Sequence, residues 1–354
     1  MLPWYRKWSE ENPINVLRTI ILFATPGAAL FVAGLIIIGG YPYATETLQT
    51  GPRGIAMGVT KYESALETPD PTIAAYTSAA PIIPQAGEPL AGEVYPLAGP
   101  LADLTVQNYD RLVGQMRQWT GIPDLMAEDN YQTQVAWEMI GMTRTLNEFW
   151  GDHVNISGEA GVNCYTCHRG QAVPSDIWFR IDPMLQASAG WPSIQNFATS
   201  MTVSTSLPHD ALQAYLVDGE LINVHDLEPR VENLPGDPLI QQTERTYSLM
   251  NHVANSLGVN CTYCHNSRAF YDGAQVTPQW ATAALGIQMV IELNNEYLLP
   301  LQELLPDYRL GPKYADAPKA ACATCHKGAQ RPLNGMDMIS DWPELATSEA
   351  PIYE

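Results

Sequence analysis

Three stretches, GVNCYTCHRG (residues 161–170), GVNCTYCHNS (258–267) and AACATCHKGA (320–329), carry one pattern, C-x-x-C-H, and together they use all six cysteines of the chain. Two thiols three positions apart can form thioethers with the two vinyl groups of one haem, and the histidine that follows becomes an axial iron ligand. The pattern assigns Cys164, Cys167 and His168 to one centre, Cys261, Cys264 and His265 to a second, and Cys322, Cys325 and His326 to a third. Zinc knuckles also use C-x-x-C, but tetrahedral closure wants paired knuckles, and motifs separated by 97 and 61 residues pair badly. A thioredoxin-like dithiol needs one motif beside a βαβ pattern. Structural disulfides give no reason for a histidine after every second cysteine. Three covalently bound haem c groups are the expectation.

Outward from the motifs the pattern is helical. In residues 130–150, Val135, Met139, Met142, Leu146 and Trp150 recur at steps of three and four, with Asp129 or Asn130 able to cap the start. Residues 242–257 place Tyr247, Met250, Ala254 and Leu257 on one face, and a third helix is predicted over 278–297. GVNCYTCHRG and GVNCTYCHNS each follow such a helix, which suggests a duplicated haem module. The fold class expected is mainly α with long irregular segments: a multihaem cytochrome c of pseudo-repeated helix–CxxCH–helix modules plus one N-terminal transmembrane helix. The organisation expected is a cytoplasmic N-terminus (1–18), an anchor (19–40), an extended Pro/Gly-rich strap (41–105), a first haem module (106–181), a connector with little regular structure (182–238), a two-haem module (239–335) and an acidic tail (336–354).

The anchor rests on residues 19–40, TIILFATPGAALFVAGLIIIGG, which carry no charge. At about 1.5 Å per residue such a run covers ~33 Å, enough for a hydrocarbon core of ~30 Å. Arg6, Lys7 and Arg18 precede it and the next basic residue is Arg53, so the positive-inside rule puts the N-terminus in the cytoplasm and the motifs on the periplasmic side of a bacterial inner membrane. A cleaved signal would have a shorter apolar region and a small-x-small site, which YPYA does not offer. A retained single span is expected.

Eighteen Lys and Arg against 38 Asp and Glu leave a net charge of −20, which repels a phosphate backbone and makes nucleic acid an unsuitable partner. The same field favours brief encounters with a basic soluble protein.

A low-spin electron-transfer haem needs a sixth ligand, methionine raising the potential relative to histidine. Helical position offers Met250 ahead of Cys261, and Met139 or Met142 ahead of Cys164. The stretches EMIGMTRTLNEFWGDHV (138–154), TYSLMNHVANSLGVNCTYCHNSRAF (246–270) and ADAPKAACATCHKGAQRPLNG (315–335) resemble the cytochrome subunit of purple-bacterial photosynthetic reaction centres over about residues 109–343. The resemblance implies that Met250 ligates the haem on Cys261, that His153 pairs with His326, and that Met139 rather than Met142 serves the haem on Cys164. Without the resemblance, His252 competes equally with His153. The family usually carries a first motif in the region matched by WTGIPDLMAEDNYQTQVAWEM (119–139), which has no cysteine here, so the outermost haem is expected to be missing and Met116 and Met126 to be packing residues.

By resemblance, the haem on Cys261 lies nearest the bacteriochlorophyll special pair, that on Cys322 in the middle and that on Cys164 outermost. The implied partners are the reaction-centre core subunits, the core light-harvesting antenna, and a soluble basic c-type cytochrome or high-potential iron–sulfur protein as donor. No residue acts as acid, base or nucleophile, so an electron carrier rather than an enzyme is expected. The competing readings are a membrane-anchored quinol-oxidising cytochrome, ligated by histidine pairs throughout, and a multihaem reductase, which needs an open iron position.

Overall fold

The computed structural model describes residues 3–39, 45–52, 54–63, 70–156, 160–181, 194–196, 199, 203–222 and 240–353. The chain divides into a unit of Met1–Thr47 with Thr60–Thr68 and a larger unit of Leu48–Val59 with Pro69–Glu354. In the smaller unit α1 (Pro3–Glu11) precedes α2 (Val16–Ile38), which starts where the Asn15 side chain accepts from the Arg18 amide. Pro26 sits inside α2, and the helix ends with the Gly39 amide donating to the Leu35 carbonyl. Phe23, Leu30 and Ile37 are exposed around it, and the helix is long and apolar enough to cross a membrane. The predicted span over 19–40 coincides with α2 up to Ile38; Gly40 lies outside the described residues. The strands β1 (Thr45–Gln49) and β2 (Gly58–Tyr62) pair as a two-stranded hairpin.

The larger unit is helical: α3 (Pro71–Ala75), α4 (Ala91–Val94), α5 (Val106–Thr120), α6 (Tyr131–Phe149), α7 (Gly151–Val154), α8 (Cys164–His168), α9 (Ala211–Leu216), α10 (Ile240–Leu257), α11 (Pro278–Glu292) and α12 (Cys322–His326). Asn130, not Asp129, caps α6, its side chain accepting from the Thr133 amide. One hydrophobic core gathers Tyr109, Leu112, Met116 and Trp119 of α5 with Ile140 of α6 and Tyr165 of α8. Full burial of a side chain such as Leu112 or Ile140 contributes about 2 kcal/mol. A second core joins Leu146 of α6, Leu212 and Leu216 of α9, Leu249 of α10, Met289 and Val290 of α11, and Ala320 and Ala321 ahead of α12.

Three regional expectations change. The described part of the strap from Asp70 onward folds onto the first core, where Ala91, Ala98, Leu101 and Leu104 are buried, with α3, α4 and a 3₁₀ turn at Gly99–Leu101 along it. Strap residues 41–44, 53 and 64–69 lie outside the described residues. Within residues 336–353, expected as an acidic tail, Met338, Trp342 and Leu345 are in the first core, and the wholly buried Glu344 pairs with Arg111. Of the connector, residues 182–193, 197–198, 200–202 and 223–239 lie outside the described residues, while α9 within it is a buried part of the second core. Each departure has one cause. Proline, glycine and charge set local chain conformation, but the apolar residues scattered among them bury against partners far away in sequence.

The third helix also differs from a continuous α-helix over 278–297. After Glu292 it widens into a π turn at Leu293–Leu298 and tightens to 3₁₀ at Leu299–Glu303, which contains Pro300. The buried Asn294 donates to the carbonyls of Leu216 and Ala320 and accepts from the Ala320 amide. Holding these three bonds fixes the side chain at the widened turn, which ties α9 and the approach to α12 together.

Candidate haem centres

The first and third motifs have the same local architecture. In α8 the Asn163 amide donates to Thr166 Oγ1, and in α12 the Ala321 amide donates to Thr324 Oγ1, so the threonine at the third position of C-x-T-C-H closes the turn from inside. Each turn ends in a left-handed residue, Arg169 (φ 48) or Lys327 (φ 48), and the next amide bonds the end of an earlier helix. Gly170 N donates to Trp119 O at the end of α5 (2.8 Å), and Gly328 N donates to Ser256 O near the end of α10 (2.7 Å). At those contacts stand Gly121 and Gly258, both at positive φ, where a Cβ would lie 2.4 and 2.1 Å from the facing carbonyl oxygens of Gly170 and Gly328. Only glycine permits that approach.

The duplication therefore differs from the one read in the sequence. GVNCYTCHRG echoes GVNCTYCHNS in letters, but in space Cys164–His168 is equivalent to Cys322–His326, docked on α5 and α10 respectively. The second motif is a 3₁₀ turn, Cys261–Tyr263, that follows α10 directly.

A cavity of ≈ 700 Å³ lies against the first and third motifs. Its wall includes Cys164, Cys167, His168, Cys322, Cys325 and His326, and also His153, Met139 and Met142. Both methionines reach it from α6, so the geometry leaves the choice between them as the helical spacing did. The thiols of Cys167 and Cys325 hydrogen-bond to each other, which pushes Cys167 well above the ordinary thiol range and holds Cys325 below it. Burial pushes Cys164 and Cys322 up to about 12 and Cys264 to about 11, so these thiols are protonated in the metal-free chain. Among the described residues no group of three or more His, Cys, Asp or Glu converges as a metal cage. That disfavours a zinc site and agrees with a sulfur pair that bonds a macrocycle.

The histidines fit iron. His168 Nδ1 bonds Gln171 O (2.8 Å), His265 Nδ1 bonds Phe270 O (3.1 Å), His326 Nδ1 bonds Ala329 O (3.0 Å) and His153 Nδ1 bonds Thr282 O (3.0 Å). A carbonyl can only accept, so each Nδ1 carries the proton and each Nε2 keeps its lone pair, the tautomer a metal requires. Burial lowers all four below the usual imidazole value, His326 to about 4, so they are neutral at physiological pH. The rings of His153 and His326 stand 6.2 Å apart. His252, the rival, instead has its Nε2 3.4 Å from Ser256 Oγ.

His153 reaches this place because α11 offers no side chain at Gly286, where a Cβ would lie 2.5 Å from His153 Cε1. Met250 is half-buried on α10 and packs against the second core, and Tyr263 is the contribution of its motif to the cavity wall. Sequence reading passed over Thr166, Thr324, Thr282 and Gly286. The repeated threonine of C-x-T-C-H was visible in the sequence; the carbonyl of Thr282 and the gap at Gly286 were not, because α11 meets His153 only in the fold.

A family model described as photosynthetic reaction centre cytochrome C subunit matches residues 40–346. The photosynthetic reaction center cytochrome c subunit of Roseobacter denitrificans is 53% identical, with 99% of each chain covered. Proteins of the same name from Rubrivivax gelatinosus and Thermochromatium tepidum are each 34% identical over 90% of this chain, covering 88% and 79% of their own. The quinol-oxidising alternative is not favoured by these likenesses.

Proposed function

The chain belongs to the family of photosynthetic reaction centre cytochrome c subunits, and from that premise we propose that it holds three haem c groups and relays electrons from a soluble donor to the photo-oxidised bacteriochlorophyll pair. As a reaction-centre cytochrome it is an electron-transfer protein associated with the membrane and with the reaction-centre core. The observation that carries the haem reading is the uniform protonation of His168, His265, His326 and His153, each Nδ1 bonded to a backbone carbonyl.

Haem c supplies one-electron oxidation and reduction at iron. Three such groups would be held through Cys164 and Cys167, Cys261 and Cys264, and Cys322 and Cys325. His168, His265 and His326 would supply one donor to each iron, and Met139, Met250 and His153 the other. The shared cavity and the Cys167–Cys325 contact support adjacency of the first and third centres, which suits an order of Cys164 outermost, Cys322 in the middle and Cys261 innermost. Two of these donor sets would pair methionine with histidine and the middle one would pair two histidines, which would give a high–low–high sequence of potentials. One uphill step is tolerable because a tenfold change in a one-electron equilibrium is only about 59 mV.

The missing fourth centre follows from the structural duplication. With Gly121 equivalent to Gly258, Asp124, Ala127 and Glu128 stand where Cys261, Cys264 and His265 stand, and no thioether can form there. Leu125 and Met126 of that segment are buried in the first core. The acidic exterior suits a basic cytochrome as donor, with a high-potential iron–sulfur protein as the other candidate. The length and apolar character of α2 support a membrane span; a periplasmic haem domain beside the core antenna belongs to the same proposal.

The test is gentle detergent purification followed by flash excitation. Co-purification with bacteriochlorophyll, flash-induced oxidation of the haem bands and a pyridine haemochrome of three per chain are expected. Haems that stay reduced after the flash would refute the relay, and a count of four would refute the reading of residues 124–128.

A further inference from the structure

The middle motif in sequence lacks the internal closure of the other two. Its threonine stands one place earlier, C-T-Y-C-H rather than C-x-T-C-H, so Thr262 turns outward. There it meets the tip of the β1–β2 hairpin. Thr262 Oγ1 donates to Gly58 O (2.9 Å), and the Thr262 carbonyl accepts from Thr50 Oγ1 (3.3 Å). The hydroxyl also lies 2.9 Å from Asn260 Oδ1, a second acceptor for its one proton.

The remaining carbonyls of the turn are engaged from its other side. Cys261 O accepts from the amides of Cys264 and His265, Tyr263 O from Thr277 Oγ1 (2.9 Å), and Cys264 O from the Thr277 amide (3.1 Å). Thr262 is thus the residue whose polar groups depend on the hairpin. The tip itself is built to hold a shape: Thr50 N bonds Met57 O (3.1 Å), and Met57 and Val59 are almost wholly buried. Two buried apolar residues and two hydrogen bonds to a single residue of an attachment turn are more than a passing contact.

We propose that Thr50 and residues 57–59 are a positioning element of the Cys261 centre, fixing from outside the turn that carries both sulfurs and His265. They replace the internal threonine closure found at Cys164–His168 and Cys322–His326. The proposal rests on the haem reading of Cys261, Cys264 and His265. Loosening the turn admits water to this centre, which favours the ferric state and lowers its potential.

The test uses the full-length haem-loaded protein with Thr50→Val, Thr262→Val and Thr262→Ser, each titrated spectroelectrochemically and counted by pyridine haemochrome. The Cys261 haem is identified by its response to Met250→His. Thr50→Val and Thr262→Val should lower the midpoint of that haem alone, and Thr262→Ser should retain it. Loss of one haem in Thr262→Val, with all three kept in Thr262→Ser, also supports the brace. Three unchanged potentials, or three that shift together, overturn it. Fewer than three haems in the unsubstituted protein overturns the haem reading instead.

Discussion

Gly286→Ala separates helix stability from iron ligation. The new Cβ would lie 2.5 Å from His153 Cε1 and 3.0 Å from both ring nitrogens, short of ordinary contact at 3.4 Å by about 0.9 Å at the closest atom. The backbone of α11 is fixed by its own hydrogen bonds, so the ring must move. It is pinned to the same helix through Thr282 O (3.0 Å). Losing that bond costs about 1 kcal/mol, and an off-rotamer ring about as much again. Metal–nitrogen bonds are near 2 Å and tolerate errors of roughly 0.2 Å, so a displacement of this size abolishes ligation. Alanine in a helix interior is meanwhile about 1 kcal/mol better than glycine. The expected result is a protein about 1 kcal/mol less stable, in which one of three haems becomes high-spin and binds carbon monoxide. Gly114→Ala in α5, where a Cβ meets nothing within 4 Å, should leave all three low-spin. The assay is the ferric and ferrous absorption spectrum with and without carbon monoxide, beside a denaturant melt. Three low-spin haems that refuse carbon monoxide in Gly286→Ala would refute the assignment of His153.

Met139→His should lower the potential of the outer haem while Met142→Leu should not; a redox titration with the reverse pattern would move the ligand to Met142. Glu344→Gln leaves Arg111, itself 7% exposed at the side chain, without its carboxylate. Arg111 keeps the carbonyls of Ala79 and Asp341 at 2.7 Å, so the loss should sit at the low end for a broken buried pair, about 3 kcal/mol, read as a lower unfolding midpoint and earlier proteolysis of residues 336–353. Burial pushes His252 down to about 4 against the pull of Asp176. Its folded value lies below the unfolded 6.5, so the unfolded chain binds more protons between these values and stability falls as pH drops from about 6.5 towards 4. His252→Gln should flatten that part of the denaturation-midpoint profile, and an unchanged slope would show that other groups set it.

Residue identity and spacing alone carry the proposed attachment chemistry, because C-x-x-C-H places two sulfurs and an imidazole on one turn whatever surrounds it. The same holds for α2, whose uncharged run reads as a span without reference to any neighbour, and for α6 and α10, whose apolar faces repeat at helical steps. The ligand proposed to act across the fold was not legible in that way. His153 lies 173 positions before His326 in the chain and comes within 6.2 Å of it only where α11 carries Gly286. Tertiary structure also decided that Met338, Trp342 and Leu345 are core and that Cys164 is the spatial counterpart of Cys322. The physical reason is the range of the interactions. Covalent attachment and helix periodicity act over a few residues of chain, whereas burial, the Arg111–Glu344 pair and the pairing of imidazoles depend on which distant surfaces the folded chain brings together.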